Sequence, residues 1–271
     1  MKFGIELPHM IESLEGRMIF GRPRRIRTLA PGPHAGMYRM QAHRVQRTDG
    51  ALLEGWSSTP VDGPTDGVVL YFGGRNENVI WAADMASFNP RHALYAFNYR
   101  GFGGSTGRPS ERRAMGDARA LHDFVVSREP GSSLTIVGRS LGTAIALALA
   151  RAARPARLVL MSPFESVPEV LRARPLGRVG SGLVTQRFEC ADAAAAHVGA
   201  TLVLLAERDT SIPHEQSLRL GGRFPNRPAV HTVRGTTHQS LPRSAGAQAA
   251  IAQFLAAGAH DHLSTLIPRS A

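Results

Sequence analysis

The sequence predicts an α/β fold with a mostly parallel, doubly wound sheet. Three observations carry that expectation. Short apolar runs recur along most of the chain, and several are unbroken. Stretches of helical length separate them. One run ends in a Gly-x-Ser-x-Gly that leads straight into an almost wholly apolar helix former. Unbroken runs of strand length imply strands buried on both faces, and the alternating rhythm implies a parallel sheet covered by helices.

In chain order, the first 45 residues carry little signal, and "GRPRRIRTLAPGPH" reads as a loop. "MYRMQAHRVQRTDGALLEGWSS" reads as two strands around the Asp49-Gly50 turn. Buried strands are expected at 67–74, 92–101, 133–140, 156–163, 200–207 and 229–235. Helices are expected at 78–88, 110–129, 140–154, 214–224 and 244–258. The rhythm breaks between about Glu165 and Gly199, where roughly 35 residues stand in place of one helix. We read that interval as a small cap over the carboxyl ends of the strands, within a single domain spanning 1–271.

The chain has 271 residues, 43% hydrophobic and 20% charged, a globular composition long enough for a sizeable core. No apolar run reaches the length of a membrane span, and no secretory signal is expected. Cys190 is the lone cysteine, so an intrachain disulfide is impossible and a reducing cytoplasm is expected. The net charge is +11 and almost all of it is arginine, since Lys2 is the one lysine. The arginines are spread along the chain without interleaved aromatics, which argues against a nucleic-acid partner.

Two Gly-x-Ser-x-Gly matches compete, around Ser105 and around Ser140. A nucleophilic serine on such a motif needs a sharp strand-to-helix turn with small flanking residues. Ser140 follows the strand "LTIV" and opens "LGTAIALALARAA". Ser105 is followed by Thr106, Gly107, Arg108 and Pro109, which cannot start a helix there. Ser140 is therefore the candidate nucleophile. Its hydroxyl needs a base and an acid to orient that base. Asp209 in "AERDTSIP" and His238 in "GTTHQS" lie just past later strands, acid before histidine. Glu207 is the rival acid but sits inside its strand. His231 and His214 are read as structural, and His260 and His262 around Asp261 as a solvated tail rather than a metal site. Oxyanion donors are expected from the backbone N–H of Leu141 and of Arg75 in "YFGGRNEN".

These residues carry a resemblance. "LYFGGRNEN", "NYRGFGGSTGRPSE", "GRSLGT", "SPFES", "LAERDTSIP" and "GTTHQS" occur in the order of the α/β-hydrolase superfamily. They look most like its small-capped branch of serine aminopeptidase-like or lysophospholipase-like hydrolases. Two residues depart from the pattern: Gly73 stands where that branch usually has histidine, and Asn98 where aspartate is common. The resemblance implies the α/β-hydrolase fold and cofactor-free, metal-free hydrolysis of an ester, thioester or amide. A small-molecule or lipid-like acyl substrate is expected, with Arg172, Arg174 and Arg178 as candidate contacts to an acidic headgroup. A peptidase or protein deacylase, and a non-catalytic binding module on the same scaffold, remain the alternatives.

Overall fold

The computed structural model describes residues 14–22, 38–61, 63, 65–82, 91–174 and 181–257. The second half of the expected helix at 78–88, Arg178, and the His260–Asp261–His262 group lie outside them. Eight strands form one sheet: β1 (Tyr38–Gln46), β2 (Leu52–Pro60), β3 (Gly67–Phe72), β4 (His92–Phe97), β5 (Ser133–Arg139), β6 (Arg157–Met161), β7 (Ala200–Arg208) and β8 (Ala229–Thr237). Their spatial order is β1-β2-β4-β3-β5-β6-β7-β8. β1 and β2 are antiparallel, and every pair from β4 to β8 is parallel.

The helices among the described residues are α1 (14–20), α2 (Glu111–Arg128), α3 (Leu141–Ala153), α4 (Val167–Arg172), α5 (Ala191–Ala196), α6 (His214–Gly221) and α7 (Ala245–Ala256). The expected strands and the helices α2, α3, α6 and α7 are present, with ends shifted by a few residues. The described part of α1, 14–20, has no counterpart in the sequence expectations. The expected helix at 78–88 begins as a 3-10 turn over 79–82.

The unbroken apolar runs follow from burial on two sides. Along β3, Val68, Leu70 and Phe72 face one core while Val69 and Tyr71 face the other. β5, β6 and β7 alternate in the same way. The first core lies under α2 and α3, with Ile145, Leu147 and Leu149 inside it. The second lies under α7, with Ile251, Phe254 and Leu255. A side chain deep in either layer contributes roughly 1.5–3 kcal/mol relative to exposure, which is why the strand pattern is apolar at every position.

Strand order places the functional residues. β3 leads outward to β4, and the chain then returns to put β5 on the other flank of β3. The ends of β3 and β5 therefore flank the crevice where the winding reverses, the usual ligand position in such sheets. Phe72 pairs with Gly138 at that edge. Arg139 pairs with Met161, and Met161 with Leu204, so the carboxyl ends of β5, β6 and β7 form one row.

Two glycines, one at the β5–α3 junction and one in α2, make sharp predictions. A Cβ on Gly142 would lie 2.1 Å from the Phe72 carbonyl oxygen and 2.6 Å from that of Gly73, both backbone atoms. Gly142→Ala is expected to lower the urea midpoint by the equivalent of at least about 2 kcal/mol. Gly116, in α2, has open space around its missing Cβ. Gly116→Ala is expected to raise stability by about 0.5–1 kcal/mol in the same titration.

Candidate active site

Ser140 is the first residue after β5 and the cap of α3, and its backbone is strained, with φ 49° and ψ −117°. A non-glycine residue in that region is held there by its surroundings. Three contacts hold it. The Ser140 N–H donates to the Met161 carbonyl at 2.9 Å. The Thr143 N–H and hydroxyl donate to the Ser140 carbonyl at 2.9 and 2.6 Å. Gly138 packs so closely on Gly142 and Thr143 that a Cβ there would sit 2.6–2.8 Å from them. The turn points the Ser140 hydroxyl out over the sheet edge.

β8 runs two residues further than the sequence suggests, to Thr237, and delivers His238 at its tip. His238 Nε2 lies 3.0 Å from Ser140 Oγ, and its Nδ1 lies 2.8 Å from Asp209 Oδ2. The structure thus brings together Ser140, His238 and Asp209. The imidazole is 7% exposed, so bulk water competes little for either nitrogen. Glu207, the rival acid, accepts the Gly235 N–H at 2.8 Å and is not part of the cluster. His214 bonds the Ala206 carbonyl at the start of α6, and His231 lies within β8.

The Asp209 carboxylate is fully occupied. Oδ2 accepts from His238 and from the Ser162 hydroxyl at 2.7 Å, and Oδ1 accepts from the Ser211 and Ile212 N–H groups at 2.9 Å each. Burial alone would raise its pKa. The His238 bond and charge, the Ile212 amide and the Ser162 hydroxyl outweigh that and hold it at about 2. Ser162 was not singled out from the sequence. Its signal was modest: a serine just beyond the carboxyl end of β6, here in a left-handed conformation, φ 47°.

The loop after β3 lies against the β5–α3 turn, and a Cβ on Gly74 would sit 3.4 Å from Ser140 Cβ. The Gly74 N–H is held by Glu77 Oε2 at 2.6 Å, and the Gly73 carbonyl accepts the Tyr99 hydroxyl at 2.6 Å. Among the described residues, neither the Arg75 nor the Leu141 N–H makes a loop or cap hydrogen bond. Gly73 has little room for a side chain, since a Cβ would lie 2.9 Å from Val79 Cγ1. Asn98 Oδ1 accepts the Val79 N–H at 3.0 Å, so this departure from the family pattern ties the start of the 3-10 turn in place. Ser105 is a tie within a loop: its hydroxyl donates to the Asn98 carbonyl and accepts from the Glu54 N–H, each at 2.9 Å.

Glu77 and Arg139 were also not anticipated. Arg139 Nη1 meets Glu77 Oε2 at 2.6 Å, and Nη2 donates to the His238 carbonyl at 3.0 Å. The Tyr71 hydroxyl donates to Glu77 Oε1 at 2.7 Å, and burial pushes its pKa well up, so it remains a donor. One buried ion pair therefore links the loop after β3, the end of β5 and the His238 loop.

A cleft of about 630 Å³ opens beside Ser140 and His238. Ile19, Phe164, Val167, Val170, Leu171 and Ile212 give it apolar walls. Arg75, Arg174 and Arg243 also line it, and Arg243 lies 4.7 Å over the Trp81 ring. Of the arginines expected near a headgroup, Arg174 is at the cleft. Arg172 is exposed and pairs with Glu169. A larger, open groove follows the β8 edge, and neither Ser140 nor His238 lines it. No helix among the described residues is long and apolar enough to cross a membrane.

Comparison with known proteins agrees with this geometry. The sequence model of the serine aminopeptidase S33 family matches residues 63–189. An esterase of Pyrococcus furiosus superposes with a TM-score of 0.67 at 14% identity, over 87% of this chain and 98% of that one. The chain has the α/β-hydrolase fold. The esterase Est1E of Butyrivibrio proteoclasticus shares this fold, with a TM-score of 0.62 at 16% identity over 73% and 91% of the two chains. An uncharacterised protein of Mycobacterium tuberculosis is 37% identical over 132 residues, 46% of each chain. The lysophosphatidylserine lipase ABHD12 of Gallus gallus is 29% identical over 201 residues, 62% of this chain and 52% of that one. The chain spans about half the length of the curated relatives it matches.

Two measurements test the site's electrostatics. Glu77→Ala leaves the Arg139 guanidinium buried without its counter-ion, and urea unfolding is expected to show a loss of about 3 kcal/mol. Glu77→Gln still accepts from Gly74 and should lose less. The Asp209 carboxyl, at about 2, lies below the unfolded value near 4. Its contribution to stability is therefore full above about pH 4 and is lost as the pH falls toward 2. Asp209→Asn should flatten the stability profile across that window.

Proposed function

We propose that this α/β hydrolase cleaves carboxylic esters, lipid esters among them, through an acyl-enzyme on Ser140. The observation that carries the reading is the relay of Ser140, His238 and Asp209, with contacts of 3.0 and 2.8 Å. His238 Nε2 takes the hydroxyl proton as Ser140 Oγ attacks the carbonyl carbon. The carbonyl oxygen becomes an oxyanion, and the N–H groups of Leu141 and Arg75 stabilise it. Asp209 holds Nδ1–H and favours the imidazolium. On collapse, His238 gives its proton to the leaving oxygen and the alcohol departs. Water then attacks the acyl-enzyme with His238 again as base, and the free acid leaves Ser140 restored.

The residues around the cleft favour an ester with an apolar acyl chain and an anionic group. Phe164 and α4 supply apolar walls, and we read 165–199 as the small cap that carries α4. Among the described residues, Arg75, Arg174 and Arg243 have no carboxylate partner. The relative named lysophosphatidylserine lipase acts, by its name, on an anionic lysolipid, and such a headgroup suits three arginines. The family match also raises an aminopeptidase reading. That chemistry needs a carboxylate for the substrate's ammonium. Glu77 is the one carboxylate lining the cleft among the described residues, and Arg139, Tyr71 and Gly74 already engage it. The lone, buried Cys190 thiol suits a reducing cytoplasm.

A fluorophosphonate probe should label the wild type one-to-one, and p-nitrophenyl esters should turn over in preference to aminoacyl anilides. Ser140→Ala should abolish labelling and cut turnover by about 10⁴-fold or more. Undiminished labelling of that variant would remove Ser140 from the mechanism. Absent labelling of the wild type would favour a binding module.

A further inference from the structure

α1 is a short helix with one exposed apolar stripe. Gly16, Ile19 and Phe20 are buried, while Leu14 is 63% and Met18 46% exposed. Leu14, Arg17 and Met18 are three and four residues apart and share one face. The helix is firmly held with that face outward. Glu15 accepts from the Thr185 N–H at 3.0 Å, the Thr185 hydroxyl at 2.6 Å and the Gln186 N–H at 3.2 Å. Its other end is bound to the loop after β3: the Met18 carbonyl accepts Arg75 Nε at 3.0 Å, and the Phe20 carbonyl accepts the Asn76 N–H at 2.8 Å. Phe20 packs edge-on against Tyr99 and Phe188. Two residues before Thr185 stands Leu183, 79% exposed and the most exposed large hydrophobic side chain among the described residues.

This surface is continuous with the cleft, because Met18 belongs to both. Its charge is mostly positive. Arg17 lies between the two apolar side chains of α1, and Arg75, Arg174 and Arg243 stand at the cleft with no ion-pair partner among the described residues. The neighbouring carboxylates are occupied: Glu15 by the 185–186 backbone, Glu77 by Arg139 and Glu169 by Arg172. Exposed apolar side chains among unpaired arginines are the pattern that binds an anionic lipid surface, apolar groups entering the acyl boundary and guanidinium groups meeting phosphates.

We infer that Leu14, Arg17, Met18 and Leu183 form a docking face that seats the cleft mouth on an anionic lipid surface. This rests on the lipid-ester reading for its purpose, but it does not depend on it for its test. The full-length Ser140→Ala protein is sedimented with phosphatidylcholine vesicles, with and without phosphatidylglycerol. Binding is expected to the anionic vesicles, about tenfold above the neutral ones, and to weaken as salt is raised. Leu14→Ser with Leu183→Ser, and separately Arg17→Glu, should each lower that partition about tenfold. In the Ser140 background of the wild type, the same changes should leave turnover of a water-soluble short-chain ester unchanged. A circular-dichroism melt matching the parent identifies variants that fold. Equal binding to both vesicle types, or partition unaltered in the Arg17→Glu and double-serine proteins, would overturn the docking face. Loss of short-chain turnover in the wild type would instead overturn the hydrolase reading, and the sedimentation result would still decide the surface.

Discussion

The turn that carries Ser140 works only because two glycines let three pieces of backbone approach one another. Gly142 faces the carbonyls that end β3, and Gly138 faces the first turn of α3. That closeness sets the distance between the hydroxyl and the loop after β3. It also fixes a positive φ at Ser140, a strain the surrounding ladder supports. The helix that follows is apolar on nearly every side because it is pressed between the sheet, α2 and α5, and that packing keeps the turn from relaxing.

Around this turn the remaining groups are placed by strand ends rather than by long side chains. β6, β7 and β8 each finish on the same edge and contribute one polar group just beyond: Ser162, Asp209 and His238. The acid is held by four donors, so the imidazole meets a fixed acceptor rather than a mobile one. On the proposed acyl-transfer chemistry, such preorganisation would let the charges that develop find their partners already in position.

Much of this was legible in the sequence because it depends on local rules. The buried strands announced themselves as unbroken apolar runs, and Ser140 could be told from Ser105 because only one of them can start a helix. Asp209 and His238 were found by their place just past strands. Other parts depend on long-range meetings that leave no local trace. Nothing near Glu77 says that it will face an arginine 62 positions later, and nothing in "LVLMSP" says that Ser162 will share an oxygen with His238. The placement of α1 depends on distant groups, among them Tyr99, Phe188 and the 185–186 backbone. Arg172 and Arg174 looked equivalent in sequence, but helix geometry turned one toward Glu169 and the other toward the cleft.

The guanidinium of Arg139 has a consequence for how the molecule tolerates motion. It sits in the strand that bears Ser140 and grips the carbonyl of His238 with one nitrogen and Glu77 with another. Two separate loops are thereby bolted to a central strand of the sheet. Because β5 carries both Arg139 and Ser140, drawing the His238 backbone away from the Ser140 hydroxyl means breaking a bond anchored in the sheet itself.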